Sequence, residues 1–147
     1  SSKLCWIDND EVYAMMDGLV YFANKQCGWD LDVDFIEPLQ RTKYDVGDFY
    51  DWHRDNDLDK PFEEGYLQGL VRKISFSILL NDPAEYDGGN FQFEIGNPND
   101  KDRIKTLDKT TQGGAIIFPS YLYHRVQPVT KGTRYSLVGW VCGQPWR

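Results

Sequence analysis

Apolar positions near the start of the chain recur with a helical period. Val12, Met15, Met16, Leu19, Val20 and Ala23 follow the i, i+3, i+4 spacing that gathers one stripe on a helix surface. Asp8, with Glu11 three residues on, has the spacing of a capping box, and Gly28 supplies a stop. The pattern predicts one amphipathic helix whose stripe packs into a core. No chemistry is assigned to it.

After Gly28 the period changes to two and stays there. Residues 38–53 read as two short strands broken near Gly47. Residues 71–80 place Ile74, Phe76, Ile78 and Leu80 on one side of a strand. Phe91, Phe93 and Ile95 alternate with Asn90, Gln92 and Glu94, as in a half-buried antiparallel strand. Asp82-Pro83, Asp87-Gly88-Gly89 and the run Gly96 to Asp100 are turn signals. Residues 104–107, 115–118, 123–126 and 133–141 supply four more strands. One helix followed by seven or eight strands predicts a mainly β protein, a sandwich or jelly roll.

Composition narrows the class. The chain has 147 residues, 41 % of them apolar and 15 % aromatic, which suits one globular domain over 1–147. Such a length buries roughly 70 % of its unfolded surface and needs no disulfides. Sixteen Lys+Arg stand against 23 Asp+Glu, a net charge of −7. That balance argues against nucleic acid as partner, because phosphate binding rests on clustered cations. Cys5, Cys27 and Cys142 are odd in number and show no CxxC spacing, so neither a disulfide framework nor a zinc finger is expected. No apolar run reaches membrane-spanning length and no signal-peptide pattern opens the sequence. A reduced, cytoplasmic setting is the expectation, with no membrane partner.

Only two histidines are present. His53 belongs to His53-Arg54-Asp55, and on an extended strand residues i and i+2 share a face. His124 lies 71 positions downstream on another predicted strand. Two imidazoles and one carboxylate on one face form the facial triad of non-haem Fe(II) oxygenases, which leaves open positions on the metal. Ten residues after His124 comes Arg134, sharing a strand face with Ser136, Val138 and Trp140. A guanidinium aimed into a β-sandwich is costly unless an anion meets it. A dicarboxylate would be such an anion, one end on Arg134 and the other on the metal.

Together, Tyr44-x-x-Gly47, His53-x-Asp55, Gly88-Gly89, His124-x-Val126 and Arg134 resemble the prolyl 4-hydroxylase-like branch of the 2-oxoglutarate/Fe(II)-dependent dioxygenases, over about residues 38–142. The resemblance implies a double-stranded β-helix (a jelly roll) with the N-terminal helix supporting its major sheet. It implies Fe(II) held by His53, Asp55 and His124, with 2-oxoglutarate as co-substrate, O2 as oxidant and ascorbate as reductant. Arg134 matches the basic residue that pairs with the distal carboxylate of 2-oxoglutarate, and Tyr44 a tyrosine at its metal-proximal end. Trp140 matches an aromatic lining the pocket, and Arg72 a substrate-facing arginine. Hypoxia-sensing relatives add a tyrosine on the distal carboxylate; Leu79 stands there in this chain, and Ser136 is expected to supply the hydroxyl instead. Halogenating relatives replace the carboxylate ligand by a small residue, so Asp55 favours hydroxylation.

The implied reaction hydroxylates an amino-acid side chain, a prolyl residue in a peptide or protein, and releases succinate and CO2. Two alternatives stay open: the same chemistry on a small molecule or methylated base, or a jelly-roll module that binds metal without turnover. Substrate recognition is expected from the Asp57–Tyr66 segment and the 81–88 turn. Asp55, Asp57 and Asp59 resemble half of an EF-hand loop, but Lys60 stands where glycine is needed and calcium is rejected.

Overall fold

The computed structural model describes residues 3–56 and 60–145. The helix α1 runs Asp10–Gln26. Asn9, not Asp8, caps it: its side chain accepts from the Val12 amide, while Asp10 and Glu11 place negative charge in the first turn. Met16, Val20 and Ala23 are buried as the periodicity predicts. Met15 is 67 % exposed, because the contact stripe is narrower than the apolar stripe.

Twelve strands make up the described sheets, more than the seven or eight the pattern predicts. They are β1 (Lys3–Trp6), β2 (Phe35–Ile36), β3 (Gln40–Tyr44), β4 (Tyr50–His53), β5 (Val71–Leu79), β6 (Tyr86–Gly88), β7 (Phe91–Glu94), β8 (Ile104–Thr106), β9 (Ala115–Pro119), β10 (Tyr123–Val126), β11 (Val129–Gly132) and β12 (Arg134–Gly143). A major antiparallel sheet has the order β1-β3-β12-β5-β9, with β2 also pairing β12. A minor sheet has the order β4-β10-β7-β8, and β11 pairs β6 in a separate ribbon. The strands β1, β2, β6 and β11 are absent from the sequence-based expectation, being short and without clear alternation, and β6 falls where Asp87-Gly88-Gly89 reads as a turn.

Two large apolar clusters flank the major sheet, and Leu67, Leu70 and Cys142 form a smaller third. Outside the major sheet, Met16 and Val20 of α1 pack on Leu39, Ile74, Phe76, Ile78, Leu137 and Val141. Each such side chain taken fully out of water contributes about 1.5–3 kcal/mol. Gly139 lets the layers close: a Cβ there would lie 2.4 Å from the Phe76 ring and 2.6 Å from Leu39. Between the sheets, Tyr44, Leu79, Phe91, Phe93, Phe118 and Val126 form the second cluster. The strand β5 is therefore covered on both faces, with Ile74, Phe76 and Ile78 toward the helix and Ser75 and Ser77 toward the cavity between the sheets. Leu80 lies beyond the strand and is 37 % exposed, so it does not extend that row.

One irregularity of β5 matters for the site. Val141 pairs with Ile74 but Cys142 pairs with Arg72, so Lys73 is the extra residue of a β-bulge. Strict alternation would put Arg72 on the helix face beside Ile74. The bulge turns it instead into the cavity, which it lines.

Candidate active site

His53 closes β4 and stands directly opposite His124 of β10 in the minor sheet. Directly paired residues on one sheet face have neighbouring side chains, and the two imidazole centroids are 4.3 Å apart. Asp55 follows just past the end of β4. Its amide and that of Asn56 both donate to the Ser120 carbonyl, and the Asn56 side chain donates to the Arg72 carbonyl at 2.6 Å. These bonds pin the segment to the major sheet. Asn56 and Ser120 belong to the site's framework, and nothing in the sequence pattern singles them out.

Asp55 Oδ1 lies 2.9 Å from His53 Nε2 and 3.4 Å from His124 Nε2. The three ligand atoms fall within 4.8 Å of one another. Each Nδ1 faces a backbone carbonyl, Asp51 at 2.7 Å and Leu122 at 2.8 Å. A carbonyl can only accept, so Nδ1 carries the proton and Nε2 presents its lone pair to the cluster. Burial pushes the His124 pKa below its ordinary value despite the neighbouring carboxylate, which keeps the ring neutral. Burial alone would raise the Asp55 pKa. The polar groups around it, among them the Trp140 indole N–H, outweigh burial and hold the carboxyl below the usual range.

Arg134 opens β12 at the other end of the interior and is 4 % exposed. Among the described residues no carboxylate pairs with it. Its guanidinium lies between the rings of Tyr44 and Phe91, 5.4 and 5.5 Å from their centroids, and Nη1 donates weakly to Ser136 Oγ at 3.4 Å. Gly89 makes the space: at φ +64° it has a backbone suited to glycine, and a Cβ there would come within 3.1 Å of Arg134 Cδ. The nearby Lys109 is already bonded to the Pro83 and Tyr86 carbonyls.

A cavity of about 350 Å³ spans the interior from the ligand cluster toward this arginine. Tyr44, Thr42, Ser77, Arg72, Trp140 and the three ligands line it. Arg134 itself borders a smaller recess of about 20 Å³, with Ser77 and Phe91 common to both. Ser136 is fully buried beside Arg134 and borders neither. Thr42 Oγ1 and Ser77 Oγ, both buried, have no hydrogen-bond partner among the described residues. Buried hydroxyls are seldom left so, and two in one cavity mark where a polar ligand belongs. Neither residue is among those the sequence reading singles out.

Trp140 lines the cavity and also donates its indole N–H to Asp55 Oδ2 at 3.0 Å. Arg72 lines the cavity too, but its fork is engaged by Glu37 at 2.6 and 2.9 Å. The 81–88 turn does not line the main cavity; Tyr86 borders only the small recess. Residues 57–59 lie outside the described residues, and none of 60–66 lines the cavity.

The donor set suits Fe(II): two imidazoles and one carboxylate, with room for further ligands. The orphan hydroxyls and the guanidinium without a carboxylate suit a dicarboxylate reaching from the metal toward β12. No helix among the described residues is long and apolar enough to cross a membrane.

Comparison with known proteins agrees with this geometry. A PKHD-type hydroxylase of Picosynechococcus sp. is 34 % identical over 111 residues, 76 % of this chain and 43 % of the relative. One of Acaryochloris marina is 36 % identical over 106 residues, 72 % of this chain and 42 % of the relative. The chain thus spans less than half the length of the curated relatives it matches. A Pseudomonas putida prolyl-4-hydroxylase structure superposes with TM-score 0.71 at 24 % identity, covering 96 % of this chain and 71 % of that one. A viral collagen prolyl hydroxylase from Paramecium Bursaria Chlorella virus-1 gives TM-score 0.70 at 20 % identity, covering 97 % and 79 %. Both share the double-stranded β-helix fold. The model of the 2OG-Fe(II) oxygenase superfamily matches residues 39–142, a stretch that holds all three ligands and Arg134, and the chain belongs to that superfamily.

Proposed function

We propose that the protein is a 2-oxoglutarate-dependent Fe(II) hydroxylase acting on an amino-acid side chain, a prolyl residue of a peptide or protein. The observation that carries this reading is the cavity together with the small recess adjoining it. A His-Asp-His cluster stands at one end, and a buried arginine without a carboxylate partner stands beyond two orphan hydroxyls toward the other. In it, residues 1–147 act as one catalytic domain. The names of the prolyl hydroxylases that share the fold support the substrate class.

His53, Asp55 and His124 would hold the metal, and Arg134, Thr42 and Ser77 would hold the distal carboxylate of the co-substrate. Fe(II) with 2-oxoglutarate and O2 supplies the oxidising power for C–H hydroxylation, with succinate and CO2 as co-products and ascorbate keeping the metal reduced. The backbone carbonyls behind both imidazoles keep their lone pairs aimed at the metal position. Phe91, Phe118 and Val126 keep the interior apolar and exclude water. Acidic overall charge and an open mouth beside Tyr50 and Arg54 favour a peptide over a nucleic acid. The free thiols suit a reducing, cytoplasmic setting.

The test is incubation with Fe(II), ascorbate, 2-oxoglutarate and an array of proline-containing peptides. Succinate release with a +16 mass shift on a peptide is expected. Absence of succinate with every peptide, together with unchanged metal affinity in His53→Ala, overturns the reading.

A further inference from the structure

We infer that Trp140, braced by Arg72 and Glu37, is the positioning residue that keeps Asp55 a one-oxygen metal ligand. The inference rests on the metal reading above and extends it to residues that do not touch the metal position.

The two oxygens of Asp55 face different partners. Oδ1 looks toward both Nε2 atoms, at 2.9 and 3.4 Å, whereas Oδ2 accepts the Trp140 indole N–H at 3.0 Å. The Asp55 side chain is 8 % exposed, so little water competes for Oδ2. Turning that oxygen toward the metal would leave the indole N–H unpaired in a buried place, a costly exchange. A facial triad leaves three of six positions open on an octahedral ion. A carboxylate that chelated through both oxygens would take one of the positions that a bidentate co-substrate and O2 require.

The indole is held in turn. Arg72 Cζ lies 4.0 Å from the Trp140 ring centroid, a cation–π contact over the indole. That guanidinium is oriented by a two-point ion pair with Glu37, at 2.6 and 2.9 Å. Glu37 is 8 % exposed, and its own amide donates to the Trp140 carbonyl at 2.9 Å. The brace therefore closes on itself: Glu37 holds Arg72, Arg72 covers Trp140, and Trp140 is tied back to Glu37 through the backbone. Burial opposes the charge on Arg72, but the Glu37 carboxylate more than compensates and raises its pKa.

This assigns Arg72 a role different from the one its sequence position suggests. Two of the three guanidinium nitrogens are committed to Glu37, and the cation sits over Trp140. Its part is to fix the indole.

Co(II) is the probe, because its visible absorption reports coordination number without turnover. Wild type and Trp140→Phe are titrated with Co(II); phenylalanine keeps an aromatic ring beside Arg72 but removes the N–H and part of the indole's bulk. The expected result is about tenfold or greater loss of Co(II) affinity with a changed absorption band, at an unchanged far-ultraviolet circular dichroism spectrum. Glu37→Gln, which breaks the ion pair and spares the indole, is the second variant and is expected to shift the same band by less. Wild-type affinity and spectrum in Trp140→Phe overturn the inference; should that variant not fold, a wild-type spectrum in Glu37→Gln overturns it. His53→Ala separates the two levels. If it leaves Co(II) binding intact, the metal reading itself falls, and the brace with it. If it abolishes binding while Trp140→Phe matches wild type, only the brace falls.

Discussion

Tyr44 stands directly opposite Arg134 across the β3–β12 ladder, with the guanidinium carbon 5.4 Å from the centre of the tyrosine ring. With Phe91 on another side, the aromatic faces stabilise the charge without occupying its N–H groups. A buried cation is thereby kept charged while its planar fork stays available to an anion. Replacing Arg134 by Met removes that fork. Hydrogen bonds to charged groups contribute about 1.5–3 kcal/mol, so 2-oxoglutarate should bind roughly tenfold to a hundredfold more weakly. Calorimetric titration of the Mn(II)-loaded protein checks it, and Arg134→Lys should fall between.

Ser77→Ala and Thr42→Val should have opposite effects on stability and on binding. Each removes a buried hydroxyl that has no partner among the described residues. Deleting an unsatisfied buried polar atom is neutral or stabilising, so the melting temperature without ligand should stay or rise. Affinity for 2-oxoglutarate should drop, by about 1 kcal/mol for each lost bond. A melting temperature that falls in both variants would show that the hydroxyls have structural partners after all.

The metal-free protein should lose stability on mild acidification. Burial holds the folded pKa of His124 below its ordinary value of 6.5. Between that depressed value and 6.5 the unfolded chain binds a proton that the folded chain does not, so stability rises with pH and is lost as pH falls. At lower pH Asp55, whose pKa is also depressed, adds a second loss below its ordinary 3.8. Thermal melts of the apo protein from pH 7.5 to 5 should show this slope, and His124→Gln should flatten it. Bound metal, which competes with the proton, should flatten it too.

Thiol reactivity should divide the three cysteines. Cys142 is fully buried against Leu67 and Leu70, and burial beside the Glu37 carboxylate pushes its pKa up to about 12. The thiolate is the reactive form. At pH 8 a disulfide reagent should therefore titrate Cys5 and Cys27, which are exposed, and reach Cys142 only in denaturant.

The central strands were readable because their alternation survives folding. Arg134, Ser136 and Trp140 leave β12 toward the interior, while Leu137 and Val141 leave it toward α1, as period two requires. His53 and His124 were readable as a pair because the chain has no other imidazoles, and the register sets them opposite each other. Arg72 shows where such reading stops. Its orientation depends on the bulge at Lys73, and its partner Glu37 lies 35 positions away, so neither is encoded in local pattern. The strands β1, β2, β6 and β11 are stabilised by the neighbours they pair with, and their own sequences carry little signal. Thr42 and Ser77 are small residues with weak preferences. The available hint was the alternation of Ser75 and Ser77 with Ile74, Phe76 and Ile78, polar positions on a strand covered on both faces.

Arg134, Thr42 and Ser77 give the protein an interior that is incomplete by itself. An anion seated there would bind the folded chain and not the unfolded one, so by mass action it would add to folding stability as its concentration rises. Resistance of the molecule to proteolysis would then follow the supply of its co-substrate. The groups that set the binding affinity would also set how long each copy persists.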